Sequence, residues 1–155
     1  MGFWRSLWQR MLGDEPSETP WMDQPAREAL VDALVLAMLI DGSPHASEWD
    51  ELRDHIERIG WRSDQPWEIY LSQAAERAER VRLLPDARRA WCQDIAQRLP
   101  NPALREHALH QVAEIMASDG SYDDPERSLA TLLAELFGVS EERLIEILDD
   151  ASHES

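Results

Sequence analysis

Laid on itself with an offset of 78 residues, the sequence matches in several places at once. Asp41-Gly42-Ser43 followed by Glu48 falls on Asp119-Gly120-Ser121 followed by Glu126, the same D-G-S-x4-E twice. Gly60 falls on Gly138 and Met38 on Met116, while Leu34, Ala37 and Ile59 fall on Val112, Ile115 and Phe137. One shift that aligns a motif, a distal glycine and the apolar pattern describes a duplicated helical hairpin, so the fold has to accommodate two related halves. Two copies are too few for a solenoid, which needs about three repeats or more.

The pattern between the matches is helical. Apolar residues recur every three or four positions, and alternating β-branched runs bounded by turns are absent. An all-α fold is expected: one compact helical bundle of seven or eight helices containing two pseudo-symmetric hairpins. The spacing predicts helices over Phe3–Leu12, Pro25–Ile40, Ser47–Ile59, Pro66–Val81, Asp86–Leu99, Pro102–Ala117, Pro125–Phe137 and Glu141–Asp150. Gly60 and Gly138 suit the residue just past a helix end, Pro102 suits a first turn after Asn101, and Ser140 can cap the last helix. Asp14 to Gln24, with Pro16 and Pro20, reads as a linker. The expected organisation is a helix in 1–13, a linker in 14–24, a helical domain in 25–150 and a tail in 151–155.

Charge narrows the function classes. The chain has 155 residues, 31 Asp plus Glu, 15 basic residues and a net charge of −16. Such a surface repels phosphate backbones, so nucleic acid is not an expected partner. Residues 14–60 hold 12 acids against 3 arginines and residues 101–155 hold 13 against 3, whereas residues 61–100 hold 6 against 7. Arg77, Arg80, Arg82, Arg88 and Arg89 gather in that middle stretch, where pairing with surrounding carboxylates on a solvated surface is the expected arrangement. Every basic residue is arginine, which removes Schiff-base lysine chemistry, a P-loop lysine and a Ser-Lys dyad. The single cysteine, Cys92, allows neither an intramolecular disulfide nor a Cys-based zinc site. The longest near-apolar run, Ala29 to Ile40, is interrupted by Asp32 and falls short of the roughly 20 residues of a spanning helix. No export signal is recognisable at the N-terminus, so the cytoplasm is the expected compartment.

The duplicated motif has a physical logic. Each Asp ends an apolar helix, where exposed carbonyls already carry partial negative charge and a carboxylate calls for a cation. Each Gly can adopt the backbone conformation that turns the chain. Each Glu lies in or near the first turn of the next helix and can reach back towards the loop. Carboxylates, loop carbonyls and water are the ligands of a hard divalent cation, calcium or magnesium. Asp41, Glu48, Asp119 and Glu126 are the candidate ligands, with Asp123 and Asp124 as additional donors in the second loop. An EF-hand places its ligands over twelve positions with glycine sixth, whereas glycine here is second and glutamate eighth. Turn capping is the plainer alternative, with Asp123 and Glu126 forming a D-x-x-E capping box.

An apolar, alanine-rich helix, then D-G, then Glu seven residues after the Asp, then a helix ending in an aliphatic or aromatic residue before glycine, occurring twice, resembles the tellurite-resistance TerB domain. The resemblance covers Ala26 to Leu148 at most, and its specific blocks are Leu34–Gly60 and Val112–Gly138. It implies a compact all-helical fold of two pseudo-symmetric halves and a metal-binding role for Asp41, Glu48, Asp119 and Glu126. Whether the four converge on one site or form two pairs stays open. Ser43-Pro44-His45 departs from the usual start of the first loop. The family also occurs beside J-domains, but no His-Pro-Asp tripeptide is present here.

Phe3, Trp4, Leu7, Trp8, Met11 and Leu12 share one helical face opposite Arg5, Gln9 and Arg10. Such a helix suits weak association with the inner membrane, opposed by the acidic body, or docking onto a protein partner, its own domain or a second copy as a homodimer. Met1-Gly2 with Ser6 fits the myristoylation pattern in form, against the bulk of Phe3-Trp4. Catalytic chemistry is thin. His107, His110 and Glu114 share a helix without an H-E-x-x-H signature, and Cys92 lies beside Trp91 with no His partner, so no enzyme is expected. The resulting expectation is a non-enzymatic cation-binding sensor or scaffold in tellurite or envelope stress. The alternative is a metal-free module that docks a partner or membrane through residues 3–12.

Overall fold

The computed structural model describes residues 22–40, 42, 44, 49–50, 52–53, 56, 61, 63–117 and 122–154. They are helical with no strand among them. Six helices run in chain order: α1 (Gln24–Leu39), α2 (Trp67–Val81), α3 (Pro85–Arg98), α4 (Pro102–Met116), α5 (Asp124–Phe137) and α6 (Glu141–Glu154). The described residues thus form six helices rather than the expected seven or eight. The helix expected over Phe3–Leu12 lies outside them. The helix expected over Ser47–Ile59 is only partly described, with Trp49, Asp50, Leu52, Arg53 and Ile56 helical.

Local chemistry sets the boundaries. The Asp23 side chain accepts a hydrogen bond from the Ala26 N–H at 2.9 Å, and Asn101 accepts from the Leu104 N–H at 2.8 Å. These two N-caps stand 78 residues apart, so the repeat reaches further upstream than the D-G-S motif. Each relieves a helix-start donor left without an intrahelical acceptor, and a proline follows in the first turn of both helices, pre-set for helical φ. At the far end of α5, Gly138 adopts the left-handed conformation, φ +76°, and terminates the helix as its composition suggested. α6 continues past the expected stop at Asp150, because Leu144, Ile147 and Ala151 form one buried stripe that gives its last turn something to pack on.

α1 is the centre of the molecule. Every residue from Ala29 to Ile40 is buried, including Asp32. A helix that is apolar all round needs neighbours all round, and α1 packs on α2, α3 and α4. Its counterpart α4 packs on α1, α5 and α6, and α3 bridges the halves by touching α1, α2 and α5. Trp91, only 1% exposed, anchors α3 in this core beside Cys92 and Ile95. Met22, in the expected linker, is buried as well, so the core begins before the first cap.

Candidate functional site

The acid motifs are partly within the described residues. Asp41, Glu48 and Asp119 lie outside them, as do Phe3, Trp4, Leu7, Trp8, Met11 and Leu12. In the first motif Gly42 has φ +144°, a conformation that side-chain-bearing residues rarely adopt, and its N–H bonds the Leu39 carbonyl at 3.3 Å just past α1. The turning role expected of this glycine is met there.

The second motif is better defined. Asp123 caps α5, its Oδ1 accepting from the Glu126 N–H at 2.9 Å, while Glu126 Oε1 accepts from the Asp123 N–H at 2.9 Å. The reciprocal pair is a capping box, the turn-capping arrangement that the D-x-x-E spacing allows. Its two carboxylates differ in surroundings. Asp123 and Asp124 face solvent, whereas Glu126 is 5% exposed and reaches back from the first turn of α5 to the loop. A second buried carboxylate, Glu114 at 3% exposure, lies near the end of α4 and pairs with His110 Nδ1 at 3.2 Å.

Tyr122 links these groups. Its hydroxyl donates to the Leu148 carbonyl on α6 at 2.6 Å. Burial and then the negative charges of Glu126, Glu114 and Asp149 raise its pKa well above the usual tyrosine value, opposed by Arg127. Carboxylates from α4, α5 and α6 thus act on Tyr122, against the Arg127 guanidinium 5.9 Å from its ring centroid. Sequence reading gave Glu114 only a part in a weak histidine pair; its burial, invisible in the pattern, brings it into this environment.

A different polar cluster fills the first half. Asp32 Oδ2 lies 2.6 Å from the Arg98 guanidinium, and Asp32 Oδ1 accepts from the Tyr70 hydroxyl at 2.9 Å, joining α1, α3 and α2. Arg98 also pairs with Asp94 at 2.9 Å. Burial pushes the Asp32 carboxyl above its ordinary value, and Arg98 and Tyr70 pull it back only in part. Burial also opposes the charge on Arg98, but the Asp32 carboxylate outweighs it and holds the guanidinium proton more tightly. Trp91 Nε1 favours the charged Asp32 from nearby, yet makes no hydrogen bond of ordinary geometry. The network was missed in the sequence. Its signal was Asp32 itself, a charge inside the longest apolar run that had to find a partner.

The remaining candidates for chemistry are embedded in structure. Glu106, His107, His110, Gln111 and Arg143 line an open groove of about 680 Å³ between α4 and α6. Arg143 closes one side by pairing with Glu106 at 2.6 Å and Glu146 at 3.2 Å. Burial, and secondarily His110, lowers the His107 pKa. The Cys92 thiol is pushed up to about 12 by burial, against the pull of Arg88 and Arg89, which keeps it protonated and inert. Among the described residues no three His, Cys, Asp or Glu side chains gather as a metal-holding group. Among them also, no helix is long and apolar enough to cross a membrane.

The family model for Tellurite resistance protein TerB matches residues 27–149. No curated protein matches the chain. No solved structure matches it either. The match spans both copies of the repeat, from the first turn of α1 to the last turns of α6, and covers well over half of the sequence. The chain belongs to the TerB family.

Proposed function

We propose that this TerB domain binds a divalent cation, calcium or magnesium, through Asp41, Glu48, Asp119 and Glu126, with Asp123 and Asp124 supplying further oxygens. The observation that carries this reading is the buried carboxylate of Glu126, held by the capping box against the Asp123 N–H at the start of α5. The donors are all oxygens and the surroundings are negative, which fits a hard cation. Bound there, the ion would supply counter-charge and tie the end of one helix to the start of the next. The role is that of a non-enzymatic sensor or scaffold in tellurite or envelope stress at the cytoplasmic face of the inner membrane, of which the family's description supports the tellurite part.

Metal-stripped protein melted against calcium, magnesium, manganese and zinc, read by tryptophan fluorescence, tests the reading. A ligand that binds only the folded state raises its melting temperature. The expected result is a cation-specific rise in the parent that is absent from Asp41→Asn with Asp119→Asn. No rise with any ion, or an equal rise in the double variant, rejects it.

A second reading, favoured by the aromatic face of Phe3, Trp4, Leu7, Trp8, Met11 and Leu12, is docking of a protein partner, a second copy or the membrane through residues 3–12. Deleting residues 1–13 tests it. If neither oligomeric state nor vesicle flotation changes, those residues have no docking role.

A further inference from the structure

The turn between α2 and α3 carries a combination found nowhere else on the described surface. Leu83 and Leu84 are adjacent, 69% and 54% exposed, on a corner where burial would be expected for both. The corner is held firmly. The Arg82 N–H bonds the Ala78 carbonyl at 2.9 Å, the Leu84 N–H bonds the Val81 carbonyl at 2.9 Å, and the Arg88 guanidinium donates to the Arg82 carbonyl. The two leucines are thus presented by a rigid turn.

The charge around them runs against the rest of the chain. Residues 79–90 hold four arginines against Glu79 and Asp86, in a protein of net charge −16. Arg80 makes no ion pair among the described residues, and Arg82 and Arg89 pair only in exposed contacts with Glu79 and Glu135, at 3.2 and 3.3 Å. Such exposed pairs contribute little and exchange readily for another anion. Immediately beyond Leu84, a groove of about 510 Å³ begins at Pro85 and is walled by Arg88, Arg89 and Arg127, with the Ser128 and Thr131 hydroxyls across it; Asp86 and Glu135 also line it.

We infer that this corner docks on an anionic phospholipid surface, Leu83 and Leu84 entering the interface while the surrounding arginines meet headgroup phosphates. Apolar anchors on a projecting turn suit a soft medium that needs no matching cavity. The arginine collar supplies the charge complementarity that the acidic remainder of the chain denies to a membrane. The contact is independent of cation binding and of residues 3–12.

The test uses the full chain and vesicles of phosphatidylcholine alone or mixed with phosphatidylglycerol, read by flotation. Two variants are compared with the parent, Leu83→Ser with Leu84→Ser and Arg80→Gln with Arg89→Gln. Position 84 is the N-cap of α3 and lacks a capping side chain, so serine there favours the helix, and lost binding is not lost folding. The parent should float with the phosphatidylglycerol vesicles only, and each variant should lower the partition about tenfold with an unchanged thermal melt. Trp4→Ala with Trp8→Ala separates the contribution of residues 3–12: binding that survives both corner variants and is lost in this one overturns the inference. So does failure of the parent to float on anionic vesicles, and so does a dimer that the corner variants dissociate in the absence of any flotation.

Discussion

Asp32 and His110 hold the same place in the two copies of the repeat, 78 residues apart on the two central helices, and they find their partners in different ways. Asp32 reaches across to α2 and α3, where Tyr70 and Arg98 satisfy it. His110 turns to its own helix and pairs with Glu114. Helix positions and N-caps are shared between the halves, while the buried polar chemistry is not. The frame is therefore a matter of periodicity and caps, and each half fills it with its own polar groups. In the first half those groups tie three helices together. In the second they gather negative charge around Tyr122, beside the capping box.

The largest expected effect breaks the first of these arrangements. Arg98→Met leaves the buried Asp32 without its counter-ion and should cost about 3–5 kcal/mol in urea unfolding followed by tryptophan fluorescence. Adding Asp32→Leu should restore most of the loss, because desolvation of Asp32 outweighs its attraction to Arg98 and an apolar pair incurs no such penalty. If the double variant is as unstable as the single, the pair is a net stabiliser and desolvation of Asp32 does not outweigh its attraction to Arg98.

A smaller effect sharpens the likeness of the halves. Asp23→Ala and Asn101→Ala each remove the N-cap of a central helix and should each cost about 1 kcal/mol. Costs that agree within a few tenths would show that the caps are equivalent in energy as well as in position.

The smallest effect is confined to the second half. His107 has Ala29 as its counterpart in the first. Burial holds the folded-state pKa of His107 below its ordinary value of 6.5. The unfolded chain then takes up the proton first, so this contribution to stability is complete above pH 6.5 and is lost as pH falls towards the folded-state value. Urea midpoints measured from pH 7.5 downward should decline less steeply in His107→Gln than in the parent.

Much of the frame was legible because it rests on local rules. Asn101 before Pro102, Gly138 after Phe137, and the three-to-four spacing of apolar residues are read within a few positions, and six expected helices appear within about four residues of their expected ends. Capping of α5 by Asp123 and Glu126 was equally local. What escaped was pairing over long separations. Nothing near Asp32 in the chain identifies Arg98 or Tyr70 as its partners. The middle helices α2 and α3 matched no repeat and showed only a run of arginines. Their fold separates those residues into a core ion pair at Arg98, a cation–π contact of Arg77 with Trp91 at 4.7 Å, and the exposed collar of the corner.

The mutual packing of α1 and α4 bears on the history of the chain. A duplicated segment can persist as two beads on a string, each free to diverge, to be lost or to be copied again. Here the central helix of each copy forms a wall of the other's interior, so neither copy retains a complete inside of its own. Substitutions on the shared face must be tolerated by both partners at once. The two copies thus form a single packed unit.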